Sequence, residues 1–162
     1  MKLKIISWNV RGANDSSKRK IIKNYIRNQR VDLMCIQETK IQEMSEGIVK
    51  SLGTGRFIDW RALNAEGAAS GILICWDKRV LDILDWEEGH FTLSCRFKTI
   101  ENGAYWVFTG VYGPFTKVER EGMWEEFGAI RGFWDDPWCL VGISISLCFN
   151  KKRAAREESA QP

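Results

Sequence analysis

The stretch "VDLMCIQETK" at positions 31–40 constrains this chain more than any other segment. Val31, Leu33, Met34, Cys35 and Ile36 read as a short strand, with Asp32 as its one polar residue near the start. A strand apolar on both faces has to be covered on both, as in the sheets of α/β proteins. It ends not on the usual Gly, Asn or Pro but on Gln37, Glu38, Thr39 and Lys40. A carboxylate at the mouth of a buried strand is where α/β proteins keep ligands. Alternatively, Glu38 is only the first polar residue of a loop.

The elements around it fit a layered protein. "LKIISWNV" is strand-like and runs into the turn signal "RG". A helix follows over "NDSSKRKIIKNYIRNQ", with Asp15, Ser16 or Ser17 as candidate N-cap. Ile21, Ile22, Tyr25 and Ile26 share its apolar face, and lysines and arginines cover the other. The opening is therefore strand–helix–strand. A weaker helix is expected from Met44 to Leu52. The middle is rich in strands: "FIDWRAL", "GILICW", "VLDILDW", "FTLSCRFK" and "AYWVFTGVYG". "EEGH" and "ENG" read as hairpin turns between them. Thr116 and Glu119 have capping-box spacing. The helix they open carries Met123, Trp124, Phe127, Ile130 and Trp134 at helical intervals, and "WCLVG" starts another buried strand.

Composition narrows the class. A chain of 162 residues suffices for one domain, and 44% hydrophobic with 28% charged residues is globular composition. A net charge of +3 is too slight to argue by itself for a nucleic-acid partner. Cys35, Cys75, Cys95, Cys139 and Cys148 are widely spaced, mostly in apolar runs, and read as reduced buried thiols rather than zinc ligands. No apolar stretch is long enough for a transmembrane span, and "MKLKIISWNV" lacks the h-region of a signal peptide. The expectation is an intracellular protein, nuclear or cytoplasmic, with no membrane partner. The eight tryptophans sit mostly in or beside strand-like segments and are expected to fill the core.

Three strands finish on an unusual polar residue: Asn9 after "IISW", Glu38 after "MCIQ", and Tyr112 after "FTGV". Singly, each has an ordinary explanation. Together, the ordered motifs "SWNVRG", "DLMCIQETK", "SGILICW" and "VYGP" resemble the endonuclease/exonuclease/phosphatase superfamily, which includes deoxyribonuclease I and abasic-site endonucleases. The segment "MWEEFGAIRGFWDDPWC" is similar to the endonuclease domain of plant non-LTR (LINE-type) retrotransposons.

The resemblance covers Met1 to Gly142 and implies an α/β sandwich of two face-to-face mixed β-sheets with outer helices. It implies that Glu38 is a ligand of a catalytic Mg2+ (or Mn2+), a hard ion that needs only one or two carboxylates beside substrate phosphate. Asn9 then orients the metal or its partners, so its metal role is indirect, and the Tyr112 hydroxyl contacts the substrate phosphate. Lys40 adds positive charge near that phosphate, unless it is simply solvated. Arg11 stands where some relatives carry an acid; a surface arginine is its plainer reading. The implied partner is DNA; no protein partner is identifiable. The side chains of Asn9, Glu38 and Tyr112 are expected to converge on one rim.

The pattern then breaks. Family members follow the "WCLVG"-type strand with "GDFN", but here the chain reads "GISISLCFN", and Ile143 and Ile145 can bind no ion through their side chains. The family's closing strands and its Asp–His pair are not found. His90 lies in a hairpin turn and reads as surface or structural. A permitted set of codons from Ile143 onward, shifted by one added G, reads Asp-Phe-Asn-Ile-Ser-Leu-Phe-Gln. The expectation is a partial, C-terminally truncated domain over 1–142 followed by a frameshifted tail over 143–162, with "NKKRAAREESAQP" unfolded or weakly helical. An incomplete sandwich exposes apolar faces, so poor solubility and impaired catalysis are expected. Two other readings compete. One is a non-catalytic nucleic-acid-binding or interaction fragment, based on Lys18, Arg19, Lys20, Lys23 and Arg27 with Lys151, Lys152, Arg153 and Arg156, charges that a solvated helix face and a stray tail explain more simply. The other is a small-molecule or inositol-phosphate phosphatase.

Overall fold

In a computed structural model the chain is described at residues 2–53, 55–66, 70–113, 116–142 and 146–149. It divides into two compact units, Met1–Leu81 and Asp82–Pro162. Each is built around one mixed sheet.

The first unit has strands β1 (Ile5–Asn9), β2 (Leu33–Gln37), β3 (Ile58–Leu63) and β4 (Ile72–Asp77) and helices α1 (Ser16–Arg27) and α2 (Glu46–Ser51). The sheet order is β1-β2-β4-β3. β1 runs parallel to β2, placing Asn9 opposite Gln37. β4 is antiparallel to both of its neighbours. All five residues of β2 are buried, as a strand apolar on both faces requires. Met34 and Ile36 pack with Ile22 and Ile26 of α1 and with Val49 of α2. Burying side chains of this size stabilises by about 1.5–3 kcal/mol each.

The start of α1 is set by Asp15, whose carboxylate accepts the Ser17 N–H at 2.9 Å. Its apolar face is narrower than the sequence suggests. Ile22 and Ile26 are buried, whereas Ile21 is 63% and Tyr25 47% exposed. Residues 21 and 25 lie about 100° from 22 and 26 around the helix, which puts them at the margin of the stripe. α2 is shorter than the expected Met44–Leu52, with Ser45 as N-cap.

The second unit has β5 (Leu81–Glu88), β6 (Thr92–Thr99), β7 (Tyr105–Val111), β8 (Trp138–Val141), β9 (Ser146–Phe149) and helix α3 (Lys117–Phe133). The strand order is β5-β6-β7-β8-β9. β7 and β8 are parallel, and β8 pairs with β9 antiparallel. That last strand falls within "ISISLCFN", where the sequence reading placed no strand. The capping box of Thr116 and Glu119 is formed in both directions. Met123, Phe127 and Ile130 pack with Val107, Trp138 and Leu140. Trp124 is 56% exposed instead of lying in the core, and Trp86 is 41% exposed on β5. Trp76 and Trp138 are buried as expected. The tail over 150–162, with its expected lack of structure, lies outside the described residues.

The thiols of Cys35, Cys75 and Cys95 are buried and unbridged. Burial pushes the Cys35 thiol up to about 12 and raises that of Cys75 as well. Such thiols are packing groups rather than nucleophiles. No helix among the described residues is long and apolar enough to cross a membrane.

Candidate active site at the ends of β1 and β2

The parallel pairing of β1 and β2 brings their C-terminal ends side by side. Asn9 is the last residue of β1, and Glu38 follows β2 directly. The Asn9 Nδ2 donates to Glu38 Oε1 at 3.2 Å. The Asn9 Oδ1 accepts the Arg11 backbone N–H at 3.0 Å, which fixes the orientation of the amide. On the other side, Lys40 Nζ lies 3.7 Å from Glu38 Oε2. The Glu38 side chain is 21% exposed and that of Lys40 38%, so the carboxylate sits at a mouth rather than in the core.

The backbone here is strained. Arg11, Glu38 and Lys40 have φ of 55°, 57° and 59°, and they are the non-glycine residues with positive φ among those described. An L-residue in this region costs on the order of 1–3 kcal/mol and persists only where surrounding contacts enforce it. The contacts are explicit. Gly12 N–H donates to the Glu38 carbonyl at 2.7 Å and Ala13 N–H to that of Thr39 at 2.8 Å. From the other side, Thr39 N–H donates to the Gly71 carbonyl at 3.2 Å and Lys40 N–H to that of Ser70 at 2.8 Å. The Asn14 side chain donates to the Lys40 carbonyl at 2.6 Å. The segment 38–40 is thus held between the β1 turn and the start of β4. Gly71, with φ 110°, approaches so closely that a Cβ would collide with Thr39 Oγ1.

Of the residues singled out from sequence, Asn9, Glu38, Lys40 and Arg11 come together in the first unit. The Arg11 backbone takes part, while its side chain is exposed. Tyr112 belongs to the second unit, just past β7; its N–H donates to the Phe91 carbonyl at 2.7 Å and it packs beside Val111 and Phe91. His90 is an exposed turn residue, as expected. Ile143 and Ile145 lie outside the described residues. The left-handed turn residues and the Thr39–Gly71 approach escape sequence reading. Gly71 was visible only as the glycine in "SGILICW".

The donor set fits a hard divalent ion bound with few protein ligands. Among the described residues no group of three or more His, Cys, Asp or Glu side chains forms a closed metal cage. Magnesium requires none, since it keeps its waters and takes one or two carboxylates plus phosphate oxygens. Glu38 Oε2 faces a cation already, the Lys40 ammonium, and Oε1 is steadied by an amide.

Comparison with known proteins identifies the family and the fold. Residues 6–144 match the family described as "Endonuclease/Exonuclease/phosphatase family". No curated protein matches the chain. Among solved structures, the mannosyl-6-phosphatase Bt3783 of Bacteroides thetaiotaomicron VPI-5482 is similar with a TM-score of 0.66 and 15% identity, over 87% of this chain and 64% of that one. The human Nocturnin catalytic domain with bound sulfate anion gives 0.62 at 10% identity, over 86% and 62%. D. rerio TDP2 complexed with single strand DNA product gives 0.62 at 16% identity, over 86% and 59%. The chain therefore spans less than two thirds of each of these structures, and at such identities the likeness shows the fold. Since the match runs over residues 6–144, most of its length, the chain belongs to the endonuclease/exonuclease/phosphatase family.

Proposed function

We propose that this chain carries the Glu38-centred half of a divalent-metal-dependent phosphodiesterase site, of the DNA-nicking type found in non-LTR retrotransposons. The observation that carries the reading is a carboxylate held in a left-handed backbone between an amide and an ammonium at the ends of two parallel strands. Strain concentrated at such a point is a mark of functional sites. The D. rerio TDP2 structure with a single strand DNA product adds support, because that protein shares the fold.

In this reading Glu38 and, through it, Asn9 hold Mg2+ or Mn2+. When bound, the ion supplies charge stabilisation for the phosphate and the leaving oxygen. The Asn9 amide keeps the carboxylate in one rotamer, so its free lone pairs stay aimed outward. Lys40 neutralises Glu38 before the ion arrives and afterwards provides a cation for a phosphate oxygen. Turnover is slow, because Ile143 and Ile145 replace the Asp and Asn expected after β8, and neither can position water. A one-base frameshift after Gly142 accounts for that replacement; the nucleotide sequence of the locus tests it directly.

The deciding experiment is nicking of supercoiled plasmid with magnesium, wild type against Glu38→Ala. Magnesium-dependent nicking lost in the variant supports the proposal. Equal nicking by both proteins removes it. A non-catalytic nucleic-acid-binding role is the second reading, favoured by the exposed Lys20 and Arg27 of α1. Arg19 does not contribute to that face, since its guanidinium donates to the Ala13 and Asn14 carbonyls at 2.8 Å each. Salt-dependent DNA binding unaffected by Glu38→Ala, without nicking, selects this second role.

A further inference from the structure

The loop that follows β1 runs beside the segment that follows β2, and their contacts fall in step. The carbonyls of Glu38, Thr39 and Lys40 receive, in that order, the Gly12 N–H at 2.7 Å, the Ala13 N–H at 2.8 Å and the Asn14 Nδ2 at 2.6 Å. The first two donors are backbone groups and survive any substitution short of proline. The third exists only because the side chain at position 14 is a short amide with a donor to offer. Asn14 is itself held in place by Arg19 of α1, whose terminal nitrogen donates to the Ala13 and Asn14 carbonyls at 2.8 Å each.

Lys40 is the residue that this third bond fixes. Its N–H donates to the Ser70 carbonyl at 2.8 Å, its carbonyl accepts from Asn14, and its φ is 59°. The backbone is thus gripped on both sides of a Cα whose left-handed conformation is unfavourable for a lysine. That conformation sets the direction in which the side chain leaves. The stem passes over Gly12, with Cδ 3.4 Å from the place a Cβ there would take, and the ammonium ends 3.7 Å from Glu38 Oε2. Without the Asn14 bond, residue 40 is free to relax toward ordinary backbone regions, and the ammonium leaves Glu38 as it does so.

An ammonium and a divalent ion are alternatives at one carboxylate oxygen, since each repels the other there. We propose that Asn14 is a positioning residue of the Glu38 site. Through the Lys40 carbonyl it keeps the ammonium beside Glu38 Oε2, as a resident competitor that sets how tightly the carboxylate holds a divalent ion. The proposal rests on the reading of Glu38 as a metal ligand and adds what regulates that ligand. Loss of Asn14 should therefore strengthen ion binding at Glu38, whereas loss of a residue that only supports the fold weakens it.

Titration of the whole chain with Mn2+, followed by the electron paramagnetic resonance signal of the free ion, reads binding without turnover. The wild type should bind Mn2+ in a way that Glu38→Ala removes. Lys40→Met, which keeps the apolar stem, should bind about two- to fivefold tighter, the range of a partly exposed ion pair. Asn14→Ala should tighten binding by a similar factor and add nothing in a Lys40→Met background. Asn14→Gln, which keeps an amide donor, should fall nearer the wild type. Asn14 is exposed, so these variants should keep the wild-type circular dichroism spectrum. Weaker or unchanged binding in Asn14→Ala overturns the proposal, and so does equal tightening with and without the Lys40 ammonium. Absence of binding, or binding that Glu38→Ala leaves intact, removes the metal-ligand reading itself and the proposal with it.

Discussion

Asn9 and Glu38 are 29 residues apart in the chain, yet the amide nitrogen of one donates to a carboxylate oxygen of the other at 3.2 Å. Parallel pairing of β1 with β2 produces this meeting, because it brings both C-terminal ends to one edge. The bond orients the acid rather than neutralising it; neutralisation is left to Lys40. Removing the acid and removing its orienting amide should therefore have different signatures. Glu38→Ala should abolish magnesium-dependent cleavage of plasmid. Asn9→Ala should keep some cleavage but need about 10–100-fold more magnesium for half-maximal rate, as when outer partners of metal ligands are lost. A magnesium titration of each variant checks this, and an unchanged midpoint for Asn9→Ala would count against the orienting role.

Gly71 and Thr39 are coupled through space. The glycine has φ 110° and its carbonyl receives the Thr39 N–H, while Thr39 is 1% exposed. Gly71→Ala therefore has two costs, backbone strain and collision with Thr39 Oγ1, together about 1–3 kcal/mol. Only the collision should vanish in a Thr39→Ala background. Urea denaturation of the two single variants and the double variant gives the coupling energy directly. Purely additive losses would mean that the close approach carries no strain.

Much of this arrangement is legible before any coordinates. The continuous apolar run of Leu33–Ile36 gives β2, the cap candidates Asp15, Ser16 and Ser17 and the Thr116–Glu119 spacing give the helix starts, and "ENG" gives the β6–β7 turn, because each rests on local chemistry. Asn9 and Glu38 stand out as polar ends to apolar strands. What is not legible depends on tertiary enforcement. Arg11, Glu38 and Lys40 are poor residues for a left-handed backbone, and nothing in their spacing signals that neighbouring strands will impose it. The exposure of Trp86 and Trp124 escapes for a related reason. Periodicity places a residue on a face, but the breadth of the covering layer decides whether that face is covered.

The ion pair of Asp77 and Arg79 sets a pH dependence of known sign. Hydrogen bonding by the Arg79 side chain is the main cause holding the Asp77 carboxyl below its ordinary value of 3.8. A lowered carboxyl pKa stabilises the folded chain above the unfolded value, and the contribution disappears as pH falls through the folded one. Relative to Asp77→Asn, the wild type should have the higher urea midpoint at pH 6, and the gap should close as pH falls below the ordinary value of 3.8 and through the lower folded one. Arg79 is 63% exposed, so added salt should narrow the gap at pH 6. A gap that persists in strong acid would assign the difference to packing instead.

Glu126 shows how α3 fixes the turn between β5 and β6. One oxygen accepts the His90 N–H at 2.8 Å, both accept that of Phe91 at 3.2 and 3.0 Å, and the Thr92 hydroxyl donates to the second. Gly89 sits so close to this carboxylate that a Cβ would collide with it. A single side chain thus satisfies turn donors that would otherwise need water, and bonds to a charged acceptor contribute about 1.5–3 kcal/mol. Glu126→Ala should destabilise the chain by that order, and amide exchange at His90 and Phe91 should accelerate before that of β6. Glu126→Gln retains one acceptor oxygen and should fall between the two. Uniform acceleration across the second unit would instead show that α3 is held by its Met123–Phe127–Ile130 face alone, with the carboxylate a passenger on the turn.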